Sequence, residues 1–179
     1  MKLVPKIKDL NEAVRLLGAL QKIDEEAFIA CSLAIYLGAR YSEIKDLCYE
    51  DLKKETLHLG TQLHKGTGRI LPLTNFLKLH LRPRIYDLKS RSGRVFTKSQ
   101  IEINQSIKQA CFMMGFKNVS FTSFRVFGCI NLCVFSNSQV EALHLIGFKS
   151  KYKNRMDLEN IFSLPSDTWE PKKKKSRIY

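Results

Sequence analysis

Basic side chains are concentrated at two places in the last third of the sequence. The first group has four members, Lys149, Lys151, Lys153 and Arg155. The second group runs from Lys172 to Lys175 and ends with Arg177. Ammonium and guanidinium groups bind phosphate oxygens through charge-assisted hydrogen bonds. Both groups therefore favour contact with a phosphate-bearing polymer.

The net charge of the chain points the same way. Thirty Lys and Arg residues against seventeen Asp and Glu residues give a formal charge of +13 in 179 residues. Without the five cations of the second group, the rest of the chain still carries about +8. A surplus of this size predicts a polyanionic partner, and nucleic acid is the first candidate. The alternative is a basic surface that serves only solubility.

The five cysteines form no recognisable metal or disulfide pattern. They are Cys31, Cys48, Cys111, Cys129 and Cys133. They include no paired Cys-x-x-Cys knuckles, and their mostly apolar neighbours are typical of reduced, buried thiols. We expect neither a metal site nor a cofactor.

The N-terminal part of the chain predicts helices followed by a β-hairpin. Asp9 and Glu12 have the spacing of a capping box, so an amphipathic helix begins there. The apolar run over 28–37 predicts a buried helix that ends near Gly38, and Ser42 is placed to cap a short helix. The strand-like pieces are 56–59 and 69–73, with Gly-rich turn material between them.

The rest of the chain predicts a return to helices. Residues 74–88 have a helical pattern with Pro83 as a break, and 93–96 favour a third short strand. Further helices are predicted at 101–114, 122–134, 137–146 and 154–162. The fold class is therefore α+β, mainly α-helical with a small antiparallel β-sheet. We predict one domain over 1–164 and a flexible basic tail over 165–179.

The sequence predicts a soluble, intracellular protein. No segment reaches the roughly 18 apolar residues that a membrane helix needs, and the N-terminus lacks the apolar region of a signal peptide. A bacterial host would place the protein in the cytoplasm, associated with the nucleoid. Residues 171–175 resemble a nuclear localisation signal, which would place the protein in the nucleus of a eukaryotic host.

Four short boxes occur in a fixed order along the chain. The first two are Gly38-Ala39-Arg40-Tyr41-Ser42-Glu43-Ile44 and Lys65-Gly66-Thr67-Gly68-Arg69-Ile70-Leu71-Pro72-Leu73. The last two are Thr122-Ser123-Phe124-Arg125 and Leu145-Ile146-Gly147-Phe148-Lys149-Ser150. Together they resemble the catalytic domain of tyrosine recombinases, the phage integrase family, over about residues 5–162. The resemblance implies that fold, and it does not extend to the family's separate N-terminal DNA-clamp domain.

The resemblance also implies roles for particular residues. In this family a tyrosine hydroxyl attacks a DNA phosphodiester and forms a 3′-phosphotyrosyl link without a metal ion. Arg40 and Arg125 match the two catalytic arginines, whose guanidiniums hold the phosphate through the transition state. Lys65 matches the hairpin lysine, which can protonate the leaving 5′-oxygen.

Three other positions depart from the family's pattern. Thr122 stands where the family usually has histidine or lysine, and Phe148 stands where it has histidine or tryptophan. The usual position of the nucleophile falls on Asp157, whose carboxylate would repel a phosphate. Tyr152 is the nearest tyrosine and is the alternative nucleophile; otherwise it packs or stacks beside the first basic group.

We therefore predict a catalytically inactive, integrase-derived protein that binds double-stranded DNA in a regulatory or accessory role. The predicted DNA-binding residues are Arg40, Lys65, Arg69, Arg125, Lys149, Lys151, Lys153 and Arg155. Partners on DNA would be a second copy or a partner recombinase. The alternative is an active recombinase that uses Tyr152 or a tyrosine from another subunit. For the arginines, the alternative role is salt bridging to Glu43 or Asp51; for Lys65, it is a solvated position at the tip of the hairpin.

Two further hypotheses use less of the chain. Residues 139–145, Gly147 and 149–158 also fit a helix-turn-helix, with the basic second helix in the major groove. This hypothesis leaves Arg40 and the hairpin with Lys65 unexplained. A protein interaction module that does not bind DNA is the other hypothesis.

Overall fold

The structure, a computed structural model, describes residues 6–60, 68–86 and 93–147, with the side chains of 82–86 left aside. Seven α-helices lie in these ranges: α1 (Leu10–Ile23), α2 (Glu25–Leu37), α3 (Tyr41–Lys45), α4 (Asn75–Tyr86), α5 (Gln100–Met114), α6 (Phe121–Phe135) and α7 (Gln139–Ile146). Two strands, β1 (Thr56–Leu59) and β2 (Arg69–Pro72), lie between α3 and α4. The predicted α+β class, mainly helical with a small antiparallel sheet, is confirmed.

The helix ends follow local sequence signals. Asp9 accepts a hydrogen bond from the Glu12 amide and caps α1, as its spacing predicts. Ser99 and Glu102 form a capping box at the start of α5, and Gly115 ends that helix in the left-handed conformation at φ +74°. These caps satisfy backbone groups that have no partner inside the helix.

Helix α2 lies at the centre of the core. Ten of its thirteen residues are buried, which agrees with its nearly uninterrupted apolar sequence. It packs against α6, where a Cβ added at Gly128 would lie 2.2 Å from the carbonyl oxygen of Ala34. The absence of a side chain at position 128 therefore sets how closely α6 approaches α2.

The sheet is a two-stranded antiparallel ladder within the described residues. Thr56 pairs with Pro72 and Leu59 pairs with Arg69. The predicted third strand at 93–96 is instead an isolated bridge from Arg94 to Cys48, because its backbone bonds run to residues 47–49 and not to the hairpin. The sheet is smaller than predicted, and Arg69 lies at its turn end.

Two local predictions were wrong in detail. The N-cap of the short helix α3 is Arg40, so Ser42 lies inside the helix; the carboxylate of Glu43 accepts from the Arg40 amide and fixes the start. Helix α4 continues through position 83 to Tyr86. Proline there removes one backbone hydrogen bond, while the fully buried Leu77 and Leu81 anchor the preceding turns.

Most of the cysteines are buried, as their apolar neighbours in the sequence predict. All five thiols are free; Cys48 is half-buried and the other four are buried. None of the helices in the described ranges is long and apolar enough to span a membrane.

A smaller apolar cluster attaches α7 to α6. Its buried members are Val126, Cys129, Cys133, Ala142, Leu143 and Ile146. Helix α7 ends at Gly147, which has a positive φ of +79°. Arg69 donates to the carbonyl oxygens of both Leu37 and Leu145, so this end of α7 lies beside the C-terminal end of α2. This junction positions the candidate site.

Candidate functional site

The site forms around the turn that ends α2. Gly38 adopts a left-handed conformation, φ +59°, and the chain then enters α3 at Arg40. A Cβ at Gly38 would lie 3.2 Å from Leu132 and 3.4 Å from the Cys129 sulfur, both on α6. The carbonyl groups at this turn therefore face the helix that carries Arg125.

Arg40 has one hydrogen bond to α3 and one to the end of α7. Its Nη1 donates to the Glu43 carboxylate at 3.4 Å and to the carbonyl oxygen of Gly147 at 3.1 Å. About a third of its side chain, 34%, is exposed. The salt bridge to Glu43, which the sequence offered as an alternative role for Arg40, is present, and the side chain still reaches solvent.

Arg125 approaches the same turn from α6. Its Nε donates to the carbonyl oxygen of Gly38 at 3.2 Å, and the residue is half-buried. Burial lowers the pKa of the Arg125 guanidinium, and the positive charges of Arg40 and Arg69 lower it further. An arginine still remains charged near neutral pH. Cys129 and the Glu43 carboxylate raise the pKa, so Arg125 is a half-buried cation that two arginines repel and one carboxylate attracts.

Arg69 lies in the interior, only 4% exposed. Its Nη1 donates to the carbonyl oxygens of Leu37, at 3.0 Å, and of Leu145. Its Nη2 donates to Glu43 at 2.9 Å and to the Gly38 carbonyl at 3.4 Å. Because these donors face protein acceptors inside the fold, the predicted contact of Arg69 with DNA does not agree with its position.

The alternation of β2 contains the signal for this burial. Arg69 and Leu71 point inward, while Ile70, 59% exposed, and Pro72 point outward. Leu71 and Leu73 are both apolar, so period two places Arg69 on the same buried face. The resemblance led to the prediction that Arg69 contacts DNA, but its position in β2 indicates a side chain in the interior.

Two helix ends help to hold the three arginines together. The carbonyls that Arg40, Arg69 and Arg125 contact belong to the last turns of α2 and α7 or to the glycines that cap them. A helix carries partial negative charge at its C-terminus, where cations are stabilised. Glu43, only 8% exposed, adds a full negative charge that both Arg40 and Arg69 contact. The junction of the two helices therefore favours a cluster of cations.

The other predicted site residues fall into two groups. Thr122 is exposed on the first turn of α6, three residues before Arg125. The remaining ones lie outside the described residues: Lys65, Phe148, Lys149, Lys151, Tyr152, Lys153, Arg155 and Asp157. The structure thus brings Arg40 and Arg125 to one turn although 85 positions separate them in the sequence.

No group of His, Cys, Asp and Glu side chains in the described ranges could hold a metal ion. Two shallow cavities, of about 260 and 340 Å³, lie along the outer face of α5. Lys108 and Val119 line both cavities, and the three arginines line neither. The arginine cluster reaches the surface through Arg40, whose side chain is 34% exposed.

Comparison with known proteins gives likeness in structure alone. No protein-family model and no curated protein matches the sequence. The fold resembles that of XerA recombinase with a TM-score of 0.68 and 15% sequence identity, over 97% of this chain and 68% of that one. XerH site-specific recombinase bound to its difH substrate matches with a TM-score of 0.64 and 15% identity, over 87% of this chain and 52% of that one.

Lambda integrase bound to DNA is a third match, with a TM-score of 0.60 and 17% identity over 84% of this chain. This chain spans 58% of that integrase and about half of the XerH chain. At these identities the likeness concerns the course of the backbone, and it extends over most of the present chain in all three cases. The chain has the fold of the tyrosine recombinase catalytic domain.

Proposed function

We propose that this protein binds double-stranded DNA through phosphate contacts of Arg40 and Arg125 and forms no covalent link to it. The observation that carries the proposal is the joint position of these arginines at the C-terminal end of α2, next to a third arginine. A bound phosphate would relieve the repulsion that Arg125 experiences from Arg40 and Arg69. Guanidinium groups also match the geometry of phosphate oxygens.

The overall charge supports a polymer of phosphates over a single small anion. The formal charge of +13 reaches well beyond the arginine cluster, since the basic groups near 150 and 174 contribute to it. Two of the structurally similar proteins, XerH recombinase and lambda integrase, were solved bound to DNA. In the proposed complex, Lys65 and the group Lys149, Lys151, Lys153 and Arg155 add further phosphate contacts.

The residue types at the remaining family positions argue against strand cleavage. Thr122 is exposed at the start of α6, and its hydroxyl neither gains nor loses a proton near neutral pH. Phe148 offers no hydrogen-bond donor, and Asp157 replaces a nucleophile with an anion. Cations suited to hold a phosphate and the hairpin Lys65 are retained, whereas the residues at three other family positions, among them the nucleophile, are replaced.

Duplex binding tests the proposal directly. A short labelled duplex should bind the full chain, with log affinity falling by about 0.9 per phosphate contact for each tenfold rise in salt. Fluorescence anisotropy over a series of salt concentrations measures both the affinity and this slope. Removal of residues 171–179 serves as a comparison and should weaken binding without abolishing it. An affinity that stays constant with salt, or no binding at all, would contradict the proposal.

Cleavage is tested separately with a nicked suicide substrate. We expect no complex that survives denaturant, because without a nucleophile the covalent pathway is lost. Asp157→Tyr alone should restore little activity, since loss of one supporting donor costs about a hundredfold to a thousandfold in rate. A denaturant-stable complex that disappears in Tyr152→Phe would make the protein an active recombinase.

A further inference from the structure

Arg69 connects three separate parts of the fold to the hairpin. It is the first residue of β2 and so lies at the turn end of the paired strands, opposite Leu59. Its Nη1 holds the last turn of α2 through Leu37 and the last turn of α7 through Leu145. Its Nη2 holds Glu43 of α3 at 2.9 Å. One buried side chain thus fixes the start of β2, α2, α3 and α7 relative to each other.

Close packing at Gly147 keeps this side chain in place. A Cβ at position 147 would lie 2.9 Å from Arg69 Nε and 3.2 Å from its Cδ and Cζ. Arg69 Nε is buried and has no hydrogen-bond partner among the described residues. A buried donor without a partner is destabilising. The other hydrogen bonds of Arg69 therefore hold its guanidinium in a position that leaves Nε without a partner.

Glu43 transmits the position of Arg69 to Arg40. Its Oε2 accepts from the Arg40 amide at 2.7 Å and from Arg69 Nη2 at 2.9 Å, while its Oε1 accepts from Arg40 Nη1 at 3.4 Å. Arg69 therefore shares the charge of a carboxylate that would otherwise act on Arg40 more strongly. The 3.4 Å contact ties the orientation of the Arg40 guanidinium to the position of Glu43.

We propose that Arg69 is a positioning residue for phosphate binding by Arg40: it anchors Glu43 and the end of α7, and thereby leaves the Arg40 guanidinium directed at the DNA surface. This inference rests on the proposed function and adds a residue that acts without touching DNA. When Arg69 is removed, the buried carboxylate of Glu43 loses a cation and draws Arg40 inward. Arg40 then competes poorly for a phosphate, even though its own charge is unchanged.

A double-mutant cycle distinguishes this role from direct DNA contact. The variants are Arg40→Ala, Arg69→Met and the double substitution, assayed by anisotropy on one duplex over a salt series. We expect each single variant to weaken binding about tenfold, and the double variant to bind as Arg40→Ala alone does. The salt slope should fall by about 0.9 in all three variants, because one phosphate contact is lost in each.

Two further variants keep the result independent of folding. Arg69→Lys retains the charge, but one ammonium group cannot hold Leu37, Leu145 and Glu43 together, so it should weaken binding severalfold at an unchanged far-ultraviolet circular dichroism spectrum. Arg15→Met removes an arginine from α1, where the guanidinium lies 5.5 Å from the Phe116 ring centroid, and should change affinity less than twofold.

The outcomes separate the two proposals. If the unmodified chain shows no salt-dependent duplex binding, the proposed function fails and the role of Arg69 fails with it. If the chain binds and Arg40→Ala weakens binding, but Arg69→Met and Arg69→Lys bind as the unmodified chain does, only the positioning role is overturned. The positioning role is also overturned if the double variant loses twice the slope, about 1.8, because that result means two independent phosphate contacts.

Discussion

Helix α2 has charged side chains at both of its ends, and the two ends hold them differently. At the N-terminal end Asp24 caps the helix and is 9% exposed. Its Oδ2 accepts from Lys98 Nζ at 2.6 Å and from Ser106 Oγ at 2.5 Å, and its Oδ1 accepts from the amides of Glu26 and Ala27. At the C-terminal end Arg125 stands beside two other arginines.

The pKa directions show what this difference means. Burial raises the pKa of Asp24, but its hydrogen bonds to Lys98 and Ser106 outweigh burial and leave the pKa below its usual value. Burial is the main cause that lowers the pKa of Arg125, and Arg40 and Arg69 lower it too, while Cys129 and Glu43 act in the opposite direction without cancelling the shift. The first end is a closed ion pair that stabilises the fold, whereas the second would gain from an added anion. This contrast supports the proposal that phosphate binds at the C-terminal end of α2.

The largest effect is expected from the contact that packs α6, the helix that carries Arg125, against α2. Gly128→Ala places a Cβ 2.2 Å from the Ala34 carbonyl oxygen and 2.5 Å from that of Ile35, both backbone atoms. We expect a loss of about 3 kcal/mol in the free energy of unfolding, because helix backbones cannot yield easily. Urea denaturation followed by circular dichroism measures it.

Gly18→Ala is the matched control for this substitution. Gly18 also lies within a helix, α1, but a Cβ there meets nothing within 4 Å. Alanine should raise stability by up to about 1 kcal/mol through its better helix propensity. Equal effects at positions 18 and 128 would contradict the close approach of α6 to α2.

The second test removes cations from each end of α2. Arg40→Ala and Arg125→Ala should each weaken duplex binding about tenfold, since a hydrogen bond to a charged group contributes about 1.5–3 kcal/mol. Lys98→Met removes one positive charge at the other end and should alter DNA affinity less than twofold. Anisotropy at a single salt concentration is sufficient. The contrast between the ends fails if Lys98→Met weakens binding as much as the arginine variants do.

The smallest expected effect concerns the closed end alone. Asp24→Asn keeps a good helix cap but removes the charge that pairs with Lys98, and should cost about 1–2 kcal/mol of stability at neutral pH. The folded-state pKa of Asp24 is lowered, so its contribution is present above about pH 4 and is lost as the pH falls through the folded-state value.

Denaturation measured at several pH values checks this prediction. The stability difference between the unmodified chain and Asp24→Asn should shrink below about pH 4, where the carboxylate takes up a proton. DNA binding of Asp24→Asn at neutral pH should be unchanged. A stability difference that persists at low pH would show that the ionised form of Asp24 is not what stabilises this end.

Much of the architecture could be predicted because its signals are local. A cap needs only a short polar side chain at the right spacing, and the Asp9 and Ser99 caps lie where the sequence indicates them or within one residue. Gly38, Gly115 and Gly147 each end a helix at positive φ, as glycine after an apolar run predicts. Predictions failed where a neighbouring group intervened, as at Ser42, where Glu43 fixed the start of α3 two residues earlier, at Arg40.

The sequence by itself determined the helices within the described residues, the hairpin and the basic character, because these depend on composition and periodicity. The resemblance of its ordered boxes to tyrosine recombinases gave Arg40 and Arg125 as candidates. Only the tertiary structure decided that Arg69 is interior, that Glu43 serves two arginines, and that the carbonyls ending α2 and α7 face these cations. Those facts depend on the packing of α6 and α7 against α2. A backbone carbonyl has no identity in the sequence, so its availability to a distant arginine is set by the fold.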